Sequence, residues 1–166
     1  MTAPESPHRD QPVAVAGLPP EEASAAVLMV HGRGATAESI LSLRLELGIP
    51  GIAYLAPQAR GFTWYPASFL APLEVNEPGI SKGIEKLDSL VRELDAAGIP
   101  PHRTVILGFS QGACLSLEFA SRHPRRYGGV LAFTGGLIGP PGTRWNEAGS
   151  LEGTPVFLGS GDPDPH

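Results

Sequence analysis

Ser110 stands in the pentad Gly108-Phe109-Ser110-Gln111-Gly112, directly after the apolar run Thr104-Val105-Ile106-Leu107 and directly before a helical pattern. A serine on so sharp a strand-to-helix turn is held in a strained backbone, with flanking glycines giving strand and helix room to approach. Its hydroxyl is then lifted clear of the sheet as a nucleophile. The helix that starts there aims free N–H groups and the positive end of its dipole at any oxyanion formed beside the serine. Gln111, the next residue, supplies the first of those N–H groups.

A second donor is expected from the turn His31-Gly32-Arg33-Gly34, which follows the first strong apolar run. Its glycines let the backbone come close to an acyl carbon, and Thr36 is a good N-cap for the helix beyond. The functional expectation concerns the Arg33 N–H; the side chains read as a turn histidine and a solvated arginine. Cys114, one helical turn after Ser110, reads as a small buried apolar residue. No histidine and cysteine cluster has metal-ligand spacing, so no metal or cofactor is expected.

Positioning these groups requires a sheet. Apolar runs at 25–30, 52–56, 104–107, 130–133 and 155–158 are nearly continuous rather than alternating, as in strands covered on both faces, and 13–15 is a weaker edge candidate. Between the second and third runs, Ile80, Ile84, Leu87, Leu90, Val91 and Leu94 recur at helical spacing. Pro78 marks the start of that helix; Gly98 and Pro100 mark its stop. Further helices are expected from Ser110 to about Arg122 and over 36–47. Alternating strands and helices predict an α/β fold with a mainly parallel sheet.

The chain has 166 residues, 42% hydrophobic and 17% charged, which suits one core. A domain over 21–166 behind a loose tail over 1–20 is the expected organisation. The net charge of -5 is scattered, with no basic cluster for a nucleic-acid backbone. The longest aliphatic run is far below the roughly 20 residues of a membrane span. Neither a signal peptide nor more than one cysteine is present, and the cytoplasm is the default location.

Together with Ala56-Pro57-Gln58-Ala59, Thr63-Trp64-Tyr65-Pro66, Phe69-Leu70-Ala71-Pro72 and Asn76-Glu77-Pro78, these motifs resemble the phospholipase/carboxylesterase family, which includes acyl-protein thioesterases. The resemblance runs from about residue 27 to residue 166. It implies an α/β-hydrolase fold and a small-molecule ester substrate, with thioesters and lysophospholipids in the same class. It also implies a Ser, Asp and His triad working through an acyl-enzyme. Ser110 would be the nucleophile, with Arg33 and Gln111 as the oxyanion residues. The acid falls in Gly159-Ser160-Gly161-Asp162-Pro163-Asp164-Pro165-His166, where Asp162 is favoured and Asp164 is the alternative. Trp64 and Tyr65 read equally as pocket mouth or as core.

The triad order is Ser, then Asp, then His. His166 sits too close to the aspartates to suit the base, and His8, His102 and His123 precede them. The triad histidine is therefore expected beyond residue 166, with a further strand and a closing helix, so the sequence reads as C-terminally incomplete. A catalytically inactive fragment, or a non-catalytic binding protein of the same fold, is the alternative.

Overall fold

The computed structural model of the chain describes residues 6–145 and 148–163. Six strands form a single sheet: β1 (Val13–Gly17), β2 (Ala25–Val30), β3 (Ile52–Pro57), β4 (Thr104–Phe109), β5 (Gly129–Phe133) and β6 (Val156–Gly159). Their order across the sheet is β1-β3-β2-β4-β5-β6. β1 runs antiparallel to β3, and every other pairing is parallel. All five apolar runs are strands, and the weak edge candidate is a sixth.

Both faces of the central strands β2, β3, β4 and β5 are covered, which is why these strands lack a polar face. On β2, Ala26, Leu28 and Val30 join one core with Ile80, Leu87, Leu94, Leu115 and Phe119. Val27 and Met29 point the other way, into a smaller core with Ile40, Leu41 and Tyr54. The larger core is closed by α4 (Gly79–Ala96) and α5 (Gln111–Arg122). α4 buries Ile80, Ile84, Leu87, Leu90, Val91 and Leu94, the stripe that its spacing predicts. Each such side chain contributes about 1.5–3 kcal/mol on burial, so the stripe outweighs the weak intrinsic helix propensity of its Gly and Ser positions.

Two expectations need correction. The helix over 36–47 is two short pieces, α1 (Ala37–Leu41) and α2 (Arg44–Leu47). Thr36 and Ser39 form a capping box that starts α1, and the Ser42 hydroxyl turns back onto the Ser39 carbonyl at 2.7 Å. Local serine bonds of this kind compete with helix continuation.

Nor are residues 6–20 a loose tail. β1 pairs with β3 in the register Val13↔Pro57 to Gly17↔Ala53, and His8 is buried against Trp64. A further short helix, α3 (Leu73–Asn76), precedes α4.

Candidate active site

Ser110 occupies the turn between β4 and α5 with φ 54° and ψ -119°, a left-handed-side conformation that a non-glycine residue adopts only where its surroundings enforce it. Those surroundings are visible. The Ser110 N–H donates to the Phe133 carbonyl at 2.8 Å, and the Ser110 carbonyl accepts from the Cys114 N–H at 3.1 Å. A Cβ on Gly108 would lie 2.3 Å from the Gly112 carbonyl oxygen, and one on Gly112 would lie 2.1 Å from the Val30 oxygen. The glycines of the pentad thus allow α5 to sit directly on β4 and β2.

The 31–34 turn lies across the same gap. A Cβ on Gly32 would come 3.3 Å from the Ser110 Cβ, so the 31–34 turn passes immediately beside the nucleophile position. Neither the Arg33 N–H nor the Gln111 N–H donates to another protein group among the described residues. Free N–H groups at a helix start and on an adjacent turn are what a developing oxyanion needs.

His31 is more than the turn histidine expected from the sequence, and Arg33, exposed as expected, also has side-chain partners. His31 is fully buried; its Nδ1–H donates to the Gly32 carbonyl at 2.7 Å, and its Nε2 accepts the Ala59 N–H at 3.0 Å. Burial lowers its pKa below the ordinary imidazole value, against the opposing pull of the Gly32 carbonyl and Glu38. A neutral ring with both nitrogens engaged fixes the 31–34 turn to the end of β3. The exposed Arg33 guanidinium donates to the carbonyls of Pro66 and Ala67 at 2.9 and 2.7 Å.

Ser110, Gln111 and Arg33 line a cleft of about 560 Å³, whose opposite wall comes from residues 65–70 and whose floor includes Cys114 and Thr134. Tyr65 is buried, while Phe69 and Leu70 supply apolar surface. Burial raises the pKa of Tyr65 and of the Cys114 thiol, so both stay protonated near neutrality. Trp64 belongs to the core: its Nε1–H donates to the His31 carbonyl at 2.9 Å. The structure thus gives Tyr65 to the cleft and Trp64 to the support behind it.

Thr134 carries a second positive φ, 57°, and its N–H donates to the Gly159 carbonyl. Sequence pattern gave no sign of it, since nothing in Phe133-Thr134-Gly135 marks a strained residue.

Asp162 is exposed in the loop after β6. Because β4, β5 and β6 are parallel, that loop shares the carboxyl end of the sheet with Ser110. Asp162 does not line the cleft. Asp164 and His166 lie outside the described residues. Among the described residues no histidine lines the cleft: His8 and His31 are buried behind it, His123 is paired with Asp88, and His102 is exposed.

The sequence profile of the phospholipase/carboxylesterase family matches residues 13–166. Acyl-protein thioesterase 1 of Eremothecium gossypii is 38% identical over 100 residues, covering 58% of this chain and 41% of that protein. Acyl-protein thioesterase 1 of Saccharomyces cerevisiae is 33% identical over 92 residues, covering 55% and 40%. The chain thus aligns with about four tenths of each of these curated relatives. The crystal structure of a phospholipase/carboxylesterase from Dyadobacter fermentans superposes with a TM-score of 0.89 at 45% identity, covering 94% of this chain and 75% of that one. With a serine at a strand-to-helix elbow, a glycine-bearing turn beside it and a profile match over nearly its whole length, the chain belongs to the phospholipase/carboxylesterase family of α/β-hydrolases.

Proposed function

We propose that the protein hydrolyses carboxylic esters, with thioesters in the same substrate class, by two-step acyl transfer through Ser110. The observation that carries this reading is the conjunction at the elbow: a strained serine beside two uncommitted N–H groups, those of Arg33 and Gln111. Ser110 Oγ attacks the carbonyl carbon, the carbonyl oxygen becomes the oxyanion between the two N–H groups, and the alcohol or thiol leaves. Water then attacks the acyl-enzyme and releases the acid.

A histidine takes the serine proton and returns it to the leaving group, oriented by Asp162 or, as the alternative acid, Asp164. Chain order in this fold puts that histidine after the acid. Cys114 is not the nucleophile, because its buried thiol is held in the protonated form.

Hydrolysis of p-nitrophenyl butyrate by the protein, beside a Ser110→Ala variant, is the direct test. Loss of about four to six orders of magnitude in the variant is expected. A second reading is that the chain binds acyl compounds without turning them over; it is favoured by the lack of a cleft-lining histidine among the described residues. Equal rates for the two proteins would select that reading.

A further inference from the structure

The wall of the cleft opposite Ser110 is a strap, residues 63–70, with no helix or strand of its own. Backbone polar groups in such a segment lack ladder partners and must be met by side chains or water. Here most are met by three side chains from three separate places, while His8 holds the Trp64 carbonyl and the strap's own Thr63 hydroxyl shares the Tyr65 carbonyl. Gln111, at the start of α5, accepts the Trp64 N–H and donates to the Tyr65 carbonyl, both at 2.8 Å. Arg33, in the oxyanion turn, donates to the carbonyls of Pro66 and Ala67. Asn76, at the end of α3 and fully buried, accepts the Ala67 N–H at 2.7 Å and donates to the Ser68 carbonyl at 2.8 Å. Every residue from Trp64 to Ser68 is therefore tied by one of the three.

Two of these residues have a double place in the site. Arg33 and Gln111 have backbone N–H groups with no protein partner among the described residues, and their side chains bond to the strap. We propose that Arg33, Gln111 and Asn76 are positioning residues that fix the strap against the oxyanion turn and thereby set which acyl chains the cleft accepts. Arg33 is the specificity-determining member. Its planar fork reaches two successive carbonyls at once, which a lysine ammonium on a flexible stem does not reproduce. With the fork removed, the strap keeps its outer ties at Gln111 and Asn76 but loses the middle one. Pro66, held by Arg33 alone, then moves outward while Ala67 stays tied to Asn76 through its N–H, and the cleft widens beside Pro66.

The proposal rests on the esterase reading of the same cleft, and the test separates the two. Arg33 is exposed, so Arg33→Met keeps the fold, checked by its melting temperature, and retains the backbone N–H. With p-nitrophenyl acetate and octanoate as substrates, the octanoate-to-acetate ratio of kcat/KM is expected to rise about fivefold in Arg33→Met, chiefly through a lower KM for octanoate, with Arg33→Lys in between. A purely structural role would scale both esters alike, and that outcome, or an unmoved ratio, overturns the proposal.

A turnover-free arm uses calorimetric titration of octanoate and butyrate ions onto Ser110→Ala, with and without Arg33→Met. The ratio of their Kd values should shift in the same direction. If no ester is hydrolysed yet this ratio shifts, the hydrolase reading fails and the positioning role stands. If the ratio stays fixed, the positioning role fails whatever the hydrolysis rates.

Discussion

At the scale of single residues, the site depends on places where a side chain is missing. Gly112 and Gly34 are both in the sequence motifs, yet their neighbourhoods differ. A Cβ on Gly112 meets the Val30 oxygen at 2.1 Å and the His31 oxygen at 2.5 Å, both backbone atoms that cannot swing aside. Gly34 has φ +75° but nothing within 4 Å. Gly112→Ala should therefore lever α5 away from β2, costing about 2–4 kcal/mol in urea unfolding and displacing the Gln111 N–H. Gly34→Ala should cost only the left-handed penalty of about 1–2 kcal/mol. Equal losses for the two would show that close approach is not what Gly112 serves. Such residues were legible in sequence because glycines around a serine after an apolar run carry a local signal. Asn76 and Thr134 were not, since their roles depend on segments far away in the chain meeting them in space.

At the scale of elements, the sheet and its two long helices were readable from periodicity, because burial on both faces leaves a continuous apolar run and burial on one face leaves a helical stripe. The N-terminal segment escaped that reading. Besides the β1 ladder and the Lys86 ammonium on the Arg9 and Gln11 carbonyls, it is anchored by His8, whose ring donates to the Trp64 carbonyl at 3.0 Å and accepts the Arg60 N–H at 3.2 Å. His31 packs on the same indole, with ring centroids 5.2 Å apart. Burial lowers the pKa of both histidines; for His8 the Trp64 carbonyl opposes that shift, while His31 and Lys86 add to it. A folded-state pKa below the unfolded value means that the unfolded chain binds more protons in the window beneath about 6.5. The stabilisation from the neutral rings is thus complete above that value and is lost as pH falls through it toward the folded-state values. Each histidine adds a slope of up to about 1.4 kcal/mol per pH unit within the window. Melting temperature should fall on acidification from neutrality, and His8→Phe should lower the value at neutral pH while flattening the slope. An unchanged slope in that variant would remove His8 from the account.

At the scale of the whole molecule, the two edges of the sheet are handled differently. On one side β1 closes the sheet as an antiparallel strand, carrying Val15 as its most exposed apolar residue. On the other, among the described residues β6 pairs with β5 alone and exposes Val156, Phe157 and Leu158 at 47, 51 and 62%. Val156 and Leu158 line an apolar groove of about 460 Å³ with Leu117, Val130 and Leu151, while Phe157 lies on the other face against Phe133. A short edge strand that is apolar on both faces, with an unpaired ladder side, meets the conditions for intermolecular pairing. A polypeptide of these 166 residues alone should therefore self-associate with rising concentration in sedimentation velocity, and Leu158→Lys should reduce this by placing a charge on the edge. Leu45→Lys is the matched control, because Leu45 is 67% exposed on α2 but belongs to no unpaired strand. If the two substitutions shift the sedimentation profile equally, exposed apolar area alone drives association; if only Leu158→Lys does, the open ladder of β6 is its cause.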